Sequence, residues 1–268
     1  MTTLGTSIDT PSHGRNETSG LGADLPPAFG RPLVRSPWWL VASLLLLTVL
    51  ATRFDGRLTE IWRGLNLPGD VDQELRFLQQ FGQIGSLVLV LVLVCCLQRP
   101  AIRRTLLDLG LALLLGAVVA NLMKTGMGRL RPAFGDAGAF LGPWWTRSSD
   151  DFSWTQRASM PSSHVMAATV LATWMWTVCP RLRILGVALT GFVGLARVRF
   201  GAHWPSDVFA GAMVGLAVGP PVIGRLWGTR LLDLIWRRLV DRQASPAWPE
   251  VLEAVERRRA RTDDVHQD

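Results

Sequence analysis

Two histidines stand beside signals that start helices: His164 in the stretch MPSSH, and His203 in ARVRFGAHWPSD, where Asp207 follows four residues later, just behind Pro205. The other two, His13 and His266, belong to the polar ends of the chain. Imidazole is the side chain best suited to attack as a nucleophile or to move a proton near neutral pH. The aspartate beside His203 has two readings. A helix N-terminus favours negative charge whatever the function. A carboxylate can also accept a hydrogen bond from one ring nitrogen, fixing the tautomer and leaving the other nitrogen free to attack.

Cations gather near these histidines. Of 28 Lys and Arg residues, only Lys124 is a lysine, and it opens KTGMGRLRP. Lys124, Arg129 and Arg131 thus crowd one helix end, with Gly126 and Gly128 letting backbone come close to a ligand. A single lysine at a membrane boundary can be a snorkelling anchor. Three neighbouring cations repel one another and are balanced by an anion. In PSSH, Ser162 and Ser163 head the next helix. Either hydroxyl can cap it, and the unpaired N–H groups of a helix start also cradle phosphate.

The elements that must hold these groups are apolar blocks. The chain has 268 residues, 49% of them hydrophobic, no tyrosine and a formal net charge of +7. Such blocked hydrophobicity points to a membrane protein and away from a nucleic-acid binder. Six segments approach the roughly 20 residues that a span requires. They run from about Trp38 to Thr52, Phe81 to Leu97, Leu106 to Met123 (with Asp108 near its start), Val165 to Val178, Ile184 to Ala196 and Val208 to Ile223. The fifth is short and spans only if its arginines snorkel or the helix continues into RVRF. A soluble core would instead show helices with charged outer faces, which SLVLVLVLVCCL and LGLALLLGAVVANLM lack. The expected fold is an all-α, polytopic bundle of six transmembrane helices, with the site at their outer ends.

Arginines in the short connections set the orientation. Arg31 and Arg35 precede the first segment, Arg99, Arg103 and Arg104 follow the second, Arg181 and Arg183 the fourth, and Arg225, Arg230, Arg237 and Arg238 the sixth. All fall on one side, so both termini are expected in the cytoplasm and the histidines on the periplasmic or extracellular face of the cell membrane. Residues 1–36 read as a disordered tail without the apolar core of a signal peptide, 37–224 as the membrane domain and 225–268 as a charged cytoplasmic tail. Cys95, Cys96 and Cys179 form no ligand spacing, the outer face has no carboxylate cluster, and no glycine-rich nucleotide loop follows a strand. No metal and no cofactor are expected.

The three stretches together resemble a known family. KTGMGRLRP resembles KxxxxxxRP, PSSH resembles PSGH and ARVRFGAHWPSD resembles SRxxxxxHxxxD, the signatures of the type 2 phosphatidic acid phosphatase superfamily. The resemblance covers roughly 58–224. It implies a six-helix membrane enzyme that hydrolyses lipid phosphates or pyrophosphates without metal. On that resemblance Lys124, Arg131, Ser162, Ser163 and Arg197 bind phosphate, His203 attacks phosphorus, Asp207 orients His203, and His164 is the general acid and base. Ser163 replaces the family's glycine and Ala196 its serine.

Phosphatidic acid, phosphatidylglycerol phosphate, undecaprenyl pyrophosphate and a lipid A type glycolipid all suit this chemistry. A phosphotransferase using the same phosphohistidine is the alternative within the enzyme class. A transporter of anionic lipids would place its polar groups deeper, near broken helices. Arg199 is expected only to meet headgroups. The segment 133–160, with Trp144, Trp145 and Trp154, is expected to form a rim that selects the headgroup.

Overall fold

The computed structural model describes residues 38–83, 100–143 and 152–239. The described residues form helices and turns, with one isolated antiparallel bridge between Arg129 and Phe140. The helices are α1 (Trp38–Thr52), α2 (Asp55–Gly64), α3 (Gly69–Leu78), α4 (Pro100–Met127), α5 (Ser163–Val178), α6 (Arg183–Arg199), α7 (Pro205–Gly224) and α8 (Trp227–Leu239). A 3₁₀ turn at Gln79–Gly82 follows α3, and a single helical turn at Trp154–Arg157 precedes α5.

Five of the six expected segments coincide with α1, α4, α5, α6 and α7. The second lies almost wholly outside the described residues. The short fifth segment does continue through Arg197 and Val198 to Arg199. Two helices are long and apolar enough to cross a membrane by themselves, over Thr105–Met127 and Pro205–Gly224. A third candidate is the pair α1 and α2, which bend by 80° at a short break.

α4, α5 and α7 share the main core. Leu106, Leu109 and Ala112 of α4 pack with Met166, Val170, Leu171 and Trp174 of α5 and with Val214, Val222 and Ile223 of α7. Small residues let α5 and α7 come this close. A Cβ on Gly211 would lie 2.4 Å from the Ser162 carbonyl oxygen, and one on Gly215 would lie 2.6 Å from Thr169 Cβ. Thr169, Thr173 and Thr177, on the facing side of α5, satisfy their hydroxyls on carbonyls one turn back. The first turns of α5 and α7, which carry the PSSH and HWPSD stretches, are thereby fixed against each other.

Helical structure continues past the expected boundary at 224. Asp108, fully buried in α4, accepts hydrogen bonds from the N–H and hydroxyl of Thr229 at 3.1 Å each, capping the start of α8. A carboxylate that looked misplaced in an apolar segment therefore serves a helix end.

Candidate active site

At the head of α7, Pro205 occupies the first helical turn, where a missing N–H costs nothing. Asp207 is fully buried there. Its Oδ2 accepts from the Trp204 N–H at 2.9 Å and from the Ser159 hydroxyl at 2.5 Å, and its Oδ1 accepts from Arg129 at 2.6 Å. The helix start and these specific contacts act on one carboxylate.

His203 is 1% exposed. Its Nδ1 lies 2.7 Å from the Ser159 carbonyl oxygen and 3.6 Å from Asp207 Oδ2. A carbonyl only accepts, so Nδ1 carries the proton and Nε2 keeps its lone pair. The direct hydrogen bond expected from Asp207 is replaced by a relay: Asp207 holds the Ser159 hydroxyl while the Ser159 carbonyl holds the ring. Burial pushes the imidazole down to about pKa 4, against the pull of Asp207, and the charges of Arg197 and Arg131 push the same way. The ring is neutral at physiological pH.

Arg129 corrects the sequence reading. Rather than joining Lys124 and Arg131 in search of an anion, it is fully buried between two carboxylates, bonding Asp207 at 2.6 Å and Asp55 at 2.5 Å. It also donates to the Ser206 hydroxyl at 2.6 Å and the Ala137 carbonyl at 2.8 Å. Asp55, at the start of α2, completes the cluster by accepting from the N–H and hydroxyl of Ser206 at 2.9 and 2.5 Å. Asp55, Ser159 and Ser206 were not legible as site residues. Their partners lie as far as 151 residues away, and no local spacing announces them.

Of the cations singled out near the histidines, Lys124, Arg131 and Arg197 make no ion pair with a carboxylate among the described residues. Lys124 Nζ donates to Ser163 Oγ at 2.6 Å, and Arg197 donates to Gln79 Oε1 at 3.2 Å. Arg131 Nε and Arg197 Nε are buried without a hydrogen-bond partner. Burial pulls the Arg131 guanidinium below its usual pKa. Ser162 stands at the N-cap position of α5, yet its hydroxyl makes no capping bond and is buried without a partner. Its own N–H is taken by the Asp207 carbonyl at 3.0 Å. Cations without a carboxylate partner, an orphan hydroxyl and a helix start are the parts of an oxyanion site. His164, half-buried on the first turn of α5, makes no side-chain hydrogen bond to another described residue.

Two further expectations change. Gly128 does not open space for a ligand: it adopts φ +56°, and a Cβ there would lie 2.2 Å from the Gly142 carbonyl, so it closes the loop on itself. Arg199 is not a headgroup contact but an internal clamp. It grips both oxygens of Asp72 at 3.0 and 3.2 Å and the carbonyls of Trp62 and Arg63 at 2.9 and 2.7 Å. The Arg199 hydrogen bonds hold the Asp72 carboxyl below its usual pKa. Of the expected rim, Trp154 is exposed, whereas Trp144 and Trp145 lie outside the described residues.

Residues 105–229 match the model of the PAP2 superfamily. This segment of the chain belongs to that superfamily. The PAP2 segment encloses all eight residues singled out from the sequence, while Asp55, Asp72 and Gln79 precede it. Over 136 residues the chain is 32% identical to a lipid A 1-phosphatase of Rhizobium johnstonii, covering 49% of each protein. Over 147 residues it is 29% identical to an undecaprenyl-diphosphatase of Sulfolobus acidocaldarius, covering 52% of this chain and 63% of that one. The chain thus spans about half the length of the first curated relatives it matches. Among solved structures, the crystal structure of Aquifex aeolicus LpxE matches with a TM-score of 0.49 and 20% identity, over 62% of this chain and 93% of that one.

Proposed function

We propose that this protein is an integral-membrane phosphatase that hydrolyses a lipid phosphate or pyrophosphate, without metal, through a phosphohistidine. The observation that carries the reading is the hydrogen bond from His203 Nδ1 to the Ser159 carbonyl, which leaves Nε2 unprotonated, with Arg197 and Arg131 near enough for their charges to act on the ring. Lys124, Arg131, Arg197, the Ser162 hydroxyl and the N–H groups at the start of α5 bind the phosphate oxygens. Ser163 positions Lys124. Phosphoryl transfer asks mainly for such positioning and charge stabilisation.

In the first step His203 Nε2 forms a bond to phosphorus as the bond to the lipid oxygen breaks, and His164, protonated once the phosphate's negative charge offsets the surrounding cations, gives that oxygen its proton. In the second, His164 takes a proton from water as the water oxygen attacks phosphorus. The N–P bond breaks, and inorganic phosphate leaves with His203 neutral again. Ser159, Asp207 and Arg129 keep the ring aimed throughout. General acid–base help of this kind contributes typically 10² to 10⁴ in rate.

The membrane placement is part of the same proposal. Six spans, both termini in the cytoplasm and a site on the opposite face are supported by the arginine-rich connections on one side and by the exposed apolar faces of α1, α4 and α6. The similarity to a lipid A 1-phosphatase and an undecaprenyl-diphosphatase supports a lipid-linked phosphate as substrate. The test is phosphate release from phosphatidic acid, phosphatidylglycerol phosphate, undecaprenyl pyrophosphate and lipid A, each with His203→Gln as the blank. Release that survives in the variant overturns the proposal.

A further inference from the structure

α2 presents three different faces. At about 100° per residue, Phe54, Leu58, Ile61 and Leu65 fall in a sector about 60° wide. All are exposed, at 54%, 44%, 57% and 43%. On one side of this strip lie Asp55, Thr59 and Trp62, turned into the protein: Asp55 and Thr59 are buried, and the Trp62 indole N–H donates to the Leu195 carbonyl at 2.9 Å. On the other side lie Arg57, Glu60 and Arg63, all exposed. A helix with protein, apolar and charged faces in turn is built for a boundary between lipid and water.

The geometry of the chain before it agrees. α1 exposes Leu45, Leu46, Leu47, Val49 and Leu50, the signature of a lipid-facing span. It stops at Thr52, an exposed Arg53 marks the level where charge can leave the hydrocarbon, and the chain then bends by 80° into α2. With four charged residues in ten, α2 cannot continue the span. Phe54 and Leu58 extend the apolar surface of α1 around the bend.

We infer that α2 lies in the plane of the membrane, its Phe54–Leu58–Ile61–Leu65 strip bedded in the leaflet on the side of the catalytic histidines. This rests on the membrane placement proposed above. Asp55, on the opposite flank of the same helix, bonds Arg129 and Ser206 beside Asp207. The helix that grips the leaflet is therefore the one that anchors the positioning network, and the lipid surface holds the mouth of the site at headgroup level.

The test uses the full chain with Cys95, Cys96 and Cys179 replaced by alanine. Single cysteines are introduced as Leu58→Cys, Ile61→Cys, Glu60→Cys or Leu46→Cys and labelled with an environment-sensitive fluorophore. Each labelled chain is placed in phosphatidylcholine nanodiscs, which leave both faces open to iodide. Labels at 58 and 61 are expected to be quenched by lipid spin-labelled near the headgroup and shielded from iodide at least threefold relative to 60. If 46 is lipid-quenched while 58 and 61 are as open to iodide as 60, the inference is overturned and the membrane placement stands. If 46 also escapes the lipid quencher, the membrane placement falls and the inference with it.

Discussion

Lys124 Nζ donates to Ser163 Oγ across 2.6 Å, joining the end of α4 to the start of α5. Ser163 is where the PSSH stretch departs from the PSGH that it resembles. Its hydroxyl gives the chain's only lysine a fixed seat at the proposed phosphate site. A hydrogen bond to a charged group contributes about 1.5 to 3 kcal/mol. Ser163→Gly is therefore expected to keep activity but to lower kcat/KM for a lipid phosphate about 10-fold, mainly through KM. Lys124→Ala should cost more, because it removes the charge itself. Equal kinetics for Ser163→Gly and the parent would show that Lys124 needs no seat.

Arg129 sits between Asp55 and Asp207 with all three fully buried. Replacing it by methionine strands two carboxylates in the interior, a loss of about 3 to 5 kcal/mol. A fall in Tm of the detergent-solubilised protein is expected, along with loss of turnover. Arg129→Lys should not restore either, since one ammonium cannot reproduce the forked contacts. Unchanged Tm with a raised KM would instead make Arg129 a phosphate ligand, as the KTGMGRLRP stretch alone suggests.

Burial of His203 makes stability depend on pH. The ring titrates near 6.5 when unfolded and near 4 when folded, so the folded state binds fewer protons between these values. Its contribution is fully present above about pH 6.5 and is lost as pH falls toward 4, amounting to about 3 kcal/mol for this completely buried ring. Unfolding free energy measured from pH 7 to 4 should fall less steeply in His203→Gln than in the parent. Parallel curves would mean that the ring is already charged in the fold.

The candidate residues were legible because each motif is local. Lys124 and Arg131, Ser162 and His164, and Arg197, His203 and Asp207 each lie within one helix end, and Lys124 meets Ser163 while Ser162 meets Asp207. The supporting contacts were not legible. Asp55 meets Arg129 across 74 residues and Ser206 across 151, and Asp108 caps Thr229 across 121. Hydropathy blocks give helices but not which charged groups cancel. For that reason Arg129 reads from sequence as a cation that wants an anionic ligand and Arg199 as a headgroup contact, although each has a carboxylate waiting on another element.

The extent of the helices was legible to within a few residues where apolar runs end at charges. Beyond 224, the start of α8 is held by a buried aspartate of α4, a contact that no pattern within α8 announces.

The central claim is that His203 Nε2 takes the phosphoryl group. The most direct measurement is rapid quenching of the enzyme with a phosphorus-labelled lipid phosphate, in the parent and in His203→Gln. The account predicts an acid-labile, alkali-stable label mapped to His203 by mass spectrometry in the parent and absent in His203→Gln. Phosphate release by His203→Gln at the parent rate, with no label on the parent, would contradict it.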